Sequence, residues 1–178
     1  MRKVLVLAGF VAVATIGLAR LSAGDDRDGT IARFDGGIGV QPVLVNPTTF
    51  AAAANIVRGI GPGILPWTIH SLKARLDVDG ELEALGRGLV LAAGAPIGTR
   101  GDLPSVRALL FCGTSTAPHE SAPAALDVDG DFRIEGFLTP AVDSSCPTPT
   151  LLIVVGAGTA QFPFRWVAAA IPDNDDND

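Results

Sequence analysis

The pentapeptide LDVDG occurs twice, at residues 76–80 and 126–130, and the first copy lies between two runs in which apolar and polar residues alternate. These runs are SLKARLDV and ELEALG. Alternation with a period of two is typical of a β-strand that has one buried face. An Asp-Gly pair between two such strands indicates a tight hairpin turn. The repeated pentapeptide therefore predicts two β-hairpins of one design.

The length of the turn decides which side chains face one another in the first hairpin. A three-residue loop, 78–80, places Leu76 opposite Leu82 and Ala74 opposite Ala84, so that apolar residues share one face. A two-residue loop instead mixes apolar and charged residues on each face. The sequence therefore predicts a type I turn followed by a glycine in the left-handed region.

The second copy predicts the same register, with Leu126 opposite Phe132 and Ala124 opposite Ile134. Other strand-like runs are SVRALLFC, DFRIEGFL, TLLIVVG and FRWVAAAI. TLLIVVG is apolar at successive positions, which predicts a central strand with both faces covered. Together these runs predict an all-β fold, an antiparallel β-sandwich of Greek-key or immunoglobulin-like type with about 8–10 short strands. We expect a single domain over residues 30–172.

Like charges face each other across both turns in these registers, Asp77 opposite Glu81 and Asp127 opposite Asp131, which destabilises a hairpin unless the charges are neutralised. A weakly held cation such as calcium at Asp127, Asp129 and Asp131 is therefore one hypothesis. The EF-hand pattern requires a glycine at loop position 6 and a glutamate at position 12, and neither copy fits it. Calcium also takes six or more oxygens. The favoured interpretation is two tight turns with solvated carboxylates and no cofactor.

Residues 1–23 predict a secretory signal peptide, with a basic start, an apolar run and small residues before the expected cleavage site. The apolar run is too short to span a bilayer stably, and an uncleaved anchor is the alternative. Residues 24–29 predict a flexible lead-in, and residues 173–178, rich in aspartate, predict a disordered acidic tail. We expect a secreted, periplasmic or cell-surface protein with no membrane span after cleavage.

The charge of the chain limits its partners. It carries 13 Lys and Arg against 19 Asp and Glu, a net charge of −6. Removal of the leader takes away Arg2, Lys3 and Arg20 but no acid, which lowers the net charge to −9. Such a charge disfavours nucleic acid and anionic lipid as partners. An extracellular ligand or surface component is the partner that we expect.

Cys112 and Cys146 are the only cysteines in the chain. A pair of cysteines in an exported protein most often forms a disulfide, which we predict here. Two free buried thiols are the first alternative. A metal site is disfavoured because the cysteines and the two histidines, His70 and His119, lack the spacing of metal ligands.

Enzymatic function is a further alternative. A hydrolytic or carbohydrate-active enzyme would draw its carboxylates from Asp127, Asp129 and Glu135, but these cluster at a hairpin tip or point outward, whereas glycosidase carboxylates face a cleft. His119 lies in the polar loop GTSTAPHESAP, which has no nucleophile elbow. The sequence therefore predicts no catalytic residues.

Four aromatic residues are candidates for a carbohydrate-stacking platform: Trp67, Trp166, Phe162 and Phe164. Each lies in an apolar register, so core packing is the favoured interpretation for most of them.

The segments FDGGIGVQPV, NIVRGI with a following PW, VRALLFC, DGDFRIEGFL, CPTPTLLIVV and WVAAAIP together resemble a group of exported bacterial proteins of uncharacterised function. The resemblance covers roughly residues 34–172, and its most specific parts are the two segments that carry the cysteines. It implies a common secreted fold and no particular activity. We therefore expect a non-enzymatic domain with a binding or structural role outside the cytoplasm, with a calcium-dependent adhesion module as another alternative.

Overall fold

The computed structural model describes residues 29–173, which form β-strands and connecting loops. The predicted signal peptide, nearly all of the lead-in and most of the predicted tail lie outside the described residues. Seven strands have six residues or more: β1 Thr30–Gly39, β6 Ser71–Asp77, β7 Glu81–Arg87, β9 Ser105–Phe111, β12 Phe132–Phe137, β13 Thr150–Val155 and β14 Arg165–Pro172. The shorter strands are β2 Val43–Val45, β3 Ala52–Ala54, β4 Gly61–Pro62, β5 Trp67–Thr68, β8 Val90–Leu91, β10 His119–Glu120 and β11 Ala124–Ala125. The described part of the chain contains no helix long and apolar enough to cross a membrane.

One antiparallel sheet dominates the fold, with the strand order β10-β9-β13-β14-β1-β6-β7-β12. The sheet curls into a half-barrel. Two isolated bridges, Glu120 with Thr139 and Leu126 with Phe132, connect the region of β10 and β11 to the ends of β12. The all-β and antiparallel parts of the prediction are confirmed. The sandwich is not, because the long strands pair along one continuous path, whereas a sandwich needs two separate sheets.

The first LDVDG hairpin has the predicted register, with Leu76 opposite Leu82 and Ala74 opposite Ala84. The N–H of Gly80 donates to the carbonyl of Asp77 at 2.9 Å, which closes the turn. Gly80 has a φ of 87°, a conformation that a side chain disfavours. The predicted turn followed by a left-handed glycine is therefore confirmed.

The second hairpin follows the prediction only next to its turn. Leu126 bridges to Phe132 as predicted, but Ala124 pairs with Val106 of β9 and Ile134 pairs with Ala84 of β7. The predicted pairing of Ala124 with Ile134 is wrong. The reason is that the strand before the turn leaves β12 and pairs with β9, across the open side of the half-barrel.

Strand β13 is the centre of the core. It lies between β9 and β14, and four successive residues, 151–154, are fully buried. Leu109 and Leu110 of the neighbouring β9 are also fully buried. Successive residues of a strand point to opposite faces, so both faces of the sheet are covered here. The predicted central strand is confirmed.

The predicted disulfide joins Cys112 to Cys146, with their Cα atoms 4.7 Å apart. Cys112 directly follows β9 and Cys146 lies in the loop before β13. The bond therefore closes the loop that brings the chain from β12 back to the centre of the sheet. The structure confirms this pairing.

Replacing both cysteines, as Cys112→Ser with Cys146→Ala, is expected to lower the free energy of unfolding by about 4 kcal/mol, the chain-entropy cost for a loop of this length. Urea denaturation by fluorescence measures the change. The same double variant under reducing conditions is the control, because reductant should then have no further effect. An unchanged midpoint in the oxidised double variant contradicts a stabilising role for the bond.

Candidate functional site

The carboxylate of Asp127 accepts hydrogen bonds from the backbone. Its Oδ1 atom lies 2.9 Å from the N–H of Asp129 and 2.8 Å from that of Asp131. The Oδ1 atom of Asp131 accepts from the N–H of Gly88 at 2.8 Å. In residues 29–173 no group of three or more His, Cys, Asp or Glu side chains is placed to hold a metal ion. These two carboxylates therefore stabilise the turn and its junction with the end of β7.

The carboxylates of the hydrolase hypothesis do not meet in one cleft. Asp127 and Asp131 line a surface depression of about 390 Å³, but neither Asp129 nor Glu135 contributes to its wall. Glu135 is more than half exposed, and its Oε2 atom lies 2.7 Å from Nε of Arg133. The hydrogen bond and charge of Glu135, together with the charge of Glu83, raise the pKa of Arg133 above its ordinary value. Glu135 thus belongs to a solvated ion-pair network.

The histidine loop shows no nucleophile paired with a base. Nδ1 of His119 lies 2.8 Å from the carbonyl oxygen of Pro140. The buried hydroxyl of Ser121 donates to the carbonyl of Ala122 and accepts from the N–H of Ala108. Both side chains thus bond to backbone groups, which positions β10 beside β9.

The four aromatic residues do not form a platform. Trp67 and Trp166 are only 5% and 4% exposed, whereas Phe162 is exposed. Nε1 of Trp166 donates to the carbonyl of Asn55 at 2.8 Å. Both tryptophans belong to the core, so stacking of a sugar on their faces is closed off.

An apolar cavity of about 210 Å³ lies where the β5–β8 pair meets the ends of β13 and β14. We call it the indole–arginine pocket. Its wall consists of Gly63, Ile64, Leu65, Trp67, Leu91, Leu103, Val155, Arg165 and Val167. Only Trp67 and Arg165 among these carry polar side-chain atoms, and both carry N–H donors.

Two glycines bring the donors of the indole–arginine pocket together. Gly61 pairs with Arg165 in a parallel bridge, and the N–H of Gly63 donates to the carbonyl of Trp166 at 2.8 Å. A Cβ atom on Gly61 would lie 2.8 Å from Nη1 of Arg165, and one on Gly63 would lie 3.2 Å from Nε1 of Trp67. The side chains of Arg165 and Trp67 thus lie against the backbone of one segment and line the same pocket.

Neither donor has a partner in the described part of the chain. The guanidinium of Arg165 makes no hydrogen bond or ion pair there, and Nε1 of Trp67 makes no hydrogen bond. Among the described residues, Oδ1 of Asp77 is the one fully buried polar side-chain atom that lacks a partner. The indole nitrogen of Trp67 therefore keeps some exposure. A buried group such as the indole of Trp67 normally bonds to something, whereas the guanidinium of Arg165 is exposed to solvent. The pocket thus offers two donors to an acceptor from outside.

Sequence reasoning identified Trp67 as an aromatic residue of interest but missed Arg165 and the glycines. The sequence feature that indicates this pocket is the segment GPG, residues 61–63, which Ile64, Leu65, Pro66 and Trp67 follow. Two glycines that alternate with a proline favour a close approach of other groups to the backbone.

No known protein family, no curated protein and no solved structure matches this chain.

Replacing Asp127 with Ala is expected to lower the free energy of unfolding by about 1–2 kcal/mol, because two backbone N–H groups of the turn lose their acceptor. Asp129→Ala, at the tip of the same turn, is the matched control and should change it by less than about 0.5 kcal/mol. Urea denaturation with calcium and with chelator measures both variants and the unaltered protein. A midpoint that rises with calcium in the unaltered protein contradicts the purely structural role of these carboxylates.

Proposed function

We propose that this protein is a non-enzymatic binding domain of the extracytoplasmic space, and that its ligand is a small apolar molecule carrying a carboxylate. The observation that carries the proposal is the pair of unpartnered N–H donors, Arg165 and Trp67, on the wall of an otherwise apolar pocket. Ligand sites are commonly apolar cavities with a few convergent polar groups.

The apolar wall sets the body of the ligand. Ile64 and Leu65 are exposed at the mouth of the pocket, while Leu91 and Val167 are buried behind it. Covering this surface is favourable at roughly 25 cal/mol per Å² of apolar area. The cavity of about 210 Å³ suits a short aliphatic chain or one end of a longer molecule. Drug-sized ligands need cavities of about 300 Å³ or more.

The two donors set the head group of the ligand. A guanidinium is always charged and bonds to carboxylates with two parallel N–H donors. An indole N–H donates but does not accept, so it adds to the preference for an acceptor. A carboxylate satisfies Arg165 and Trp67 together, whereas an amine would repel the first and leave the second without a partner.

The proposed location agrees with the covalent structure. A disulfide between Cys112 and Cys146 persists in oxidising compartments and is rare in the cytosol. The predicted leader, residues 1–23, provides the route of export. In such a compartment, a domain without converging catalytic groups can retain or deliver a small molecule by binding alone.

Octanoate is expected to bind at least about tenfold more tightly than octanol, because charge-assisted hydrogen bonds contribute about 1.5–3 kcal/mol. Of the two indole N–H signals in a ¹⁵N–¹H correlation spectrum, that of Trp67 should move on titration. The signal of Trp166, which is bonded to Asn55, should stay in place.

Arg165→Gln is expected to remove the preference for octanoate while leaving the weak binding of octanol unchanged. Arg133→Gln is the matched control, since this arginine is ion-paired to Glu83 and Glu135 away from the pocket. Calorimetric titration measures the affinities. Equal affinities for octanoate and octanol in the unaltered protein, or an unchanged octanoate affinity in Arg165→Gln, would falsify the proposal.

A further inference from the structure

The small sheet formed by β2 and β3 is apolar on both of its faces and packs on neither. Val43, Leu44 and Val45 are 54%, 52% and 57% exposed, although successive residues of a strand point to opposite faces. All three alanines of β3 are exposed as well. Phe50, in the connecting turn, is 79% exposed. A two-stranded hairpin of this kind is only marginally stable without further contacts.

The hydrogen bonds of the hairpin show which edge of β2 is open. Asn46 N–H donates to the carbonyl of Ala51, and Asn55 N–H donates to that of Pro42. Bonding toward the partner strand alternates along an antiparallel pair, so Leu44 also faces β3. The backbone N–H and C=O groups of Val43 and Val45 therefore point away from β3, along an unpaired edge.

The other edge of the hairpin is less available. On β3 the outward-pointing residues are Ala52 and Ala54 by the same alternation. The carbonyl of Ala54 already accepts from the N–H of Ile56 at 3.0 Å. The edge of β2 is thus the one whose donors and acceptors are all open.

We propose that the β2 edge pairs with the β2 edge of a second copy of this chain, across a two-fold axis through Leu44. The sequence Val43–Leu44–Val45 reads the same in both directions, so antiparallel pairing places each valine opposite the other valine of the second copy. These valines supply the outward backbone groups, and each such pair exchanges two N–H···O bonds. Leu44 then faces Leu44 of the second copy, with Cα atoms about 4.5 Å apart.

The charge of the protein favours a second copy at this place. Two copies of a chain with net charge −6 repel each other over most of their surface. Residues 36–57 contain no charged residue, so two copies that meet at the hairpin place no like charges in direct contact. A contact across a two-fold axis brings the same surface of both copies together. A charged strand would then face an identical charge and be repelled, whereas an uncharged strand is not.

The open edge also disfavours lipid as the occupant. Hydrocarbon leaves backbone N–H and C=O groups without partners, at a cost of several kcal/mol each. A second strand satisfies them, and it turns two marginal hairpins into one four-stranded sheet. Lys and Pro are two of the devices by which proteins block such pairing, and neither occurs at residues 43–45, although β2 is only three residues long.

A charge-complementation experiment tests the two-fold axis. Leu44→Lys and Leu44→Glu each place like charges opposite each other in the dimer, and each is expected to raise the dissociation constant by roughly tenfold or more. An equimolar mixture of the two variants should restore association through opposite charges. Val128→Lys, a change of an exposed aliphatic residue in the second LDVDG turn, is the control and should leave the constant unchanged. Sedimentation equilibrium over a wide range of concentration measures the unaltered protein, the three variants and the mixture.

A monomeric unaltered protein at all concentrations overturns the proposal. So does association that persists in both Leu44 variants, or a mixture that stays monomeric when the unaltered protein dimerises. Flotation with vesicles of neutral phosphatidylcholine tests the lipid alternative. The proposal is also overturned if the monomer binds these vesicles and Leu44→Lys does not. Association of the unaltered protein, its loss in each variant and its return in the mixture together support it.

Discussion

The backbone hydrogen bonds at the edges of strands are the constraint on which this structure depends. A curled half-barrel has an open side, where N–H and C=O groups must find partners or remain in water. On that side the chain places β10 and β11, which pair with β9 while Glu120 and Leu126 bridge to the region of β12. These connections cross the opening, residues 151–154 of β13 are fully buried, and the disulfide fixes the loop that leads to β13.

The same requirement produces the indole–arginine pocket. The segment that begins at Gly61 satisfies backbone groups of β14 by parallel pairing, which brings it against Arg165. A Cβ atom on Gly63 would lie 3.2 Å from Nε1 of the buried Trp67, so close approach rather than a turn favours glycine there, whereas one on Gly61 would meet only the flexible end of Arg165. The consequence is that Trp67 and Arg165 line one pocket, and neither donor has a partner in the part of the chain that the structure describes.

The sequence predicts what is local and leaves open what depends on distant pairing. The register of the first LDVDG turn follows from the alternation of Leu76 and Leu82, and the structure agrees with it. The sequence does not predict the partner of Ala124, because Val106 and Ile134 both lie in strands with alternating apolar residues. Ala124 pairs with Val106 only because the sheet closes on that side. A half-barrel and a sandwich have the same local patterns. The pocket was equally hidden, since Gly61 and Arg165 are far apart in the chain.

Hydrogen bonds at the base of the hairpin connect it to residues that line the pocket, although the two surfaces select different chemistry. Val40, directly before the hairpin, donates to the carbonyl of Val167 and accepts from the N–H of Trp67 at 2.9 and 3.0 Å. The base of the hairpin on its other side, Asn55, accepts from Trp166. The pocket presents donors alone and so selects an acceptor, whereas the β2 edge presents donors and acceptors in turn and so selects a strand. If pairing of the hairpin shifts Trp67, the affinity for ligand changes by the same factor by which ligand changes pairing, because the coupling between two binding equilibria is reciprocal.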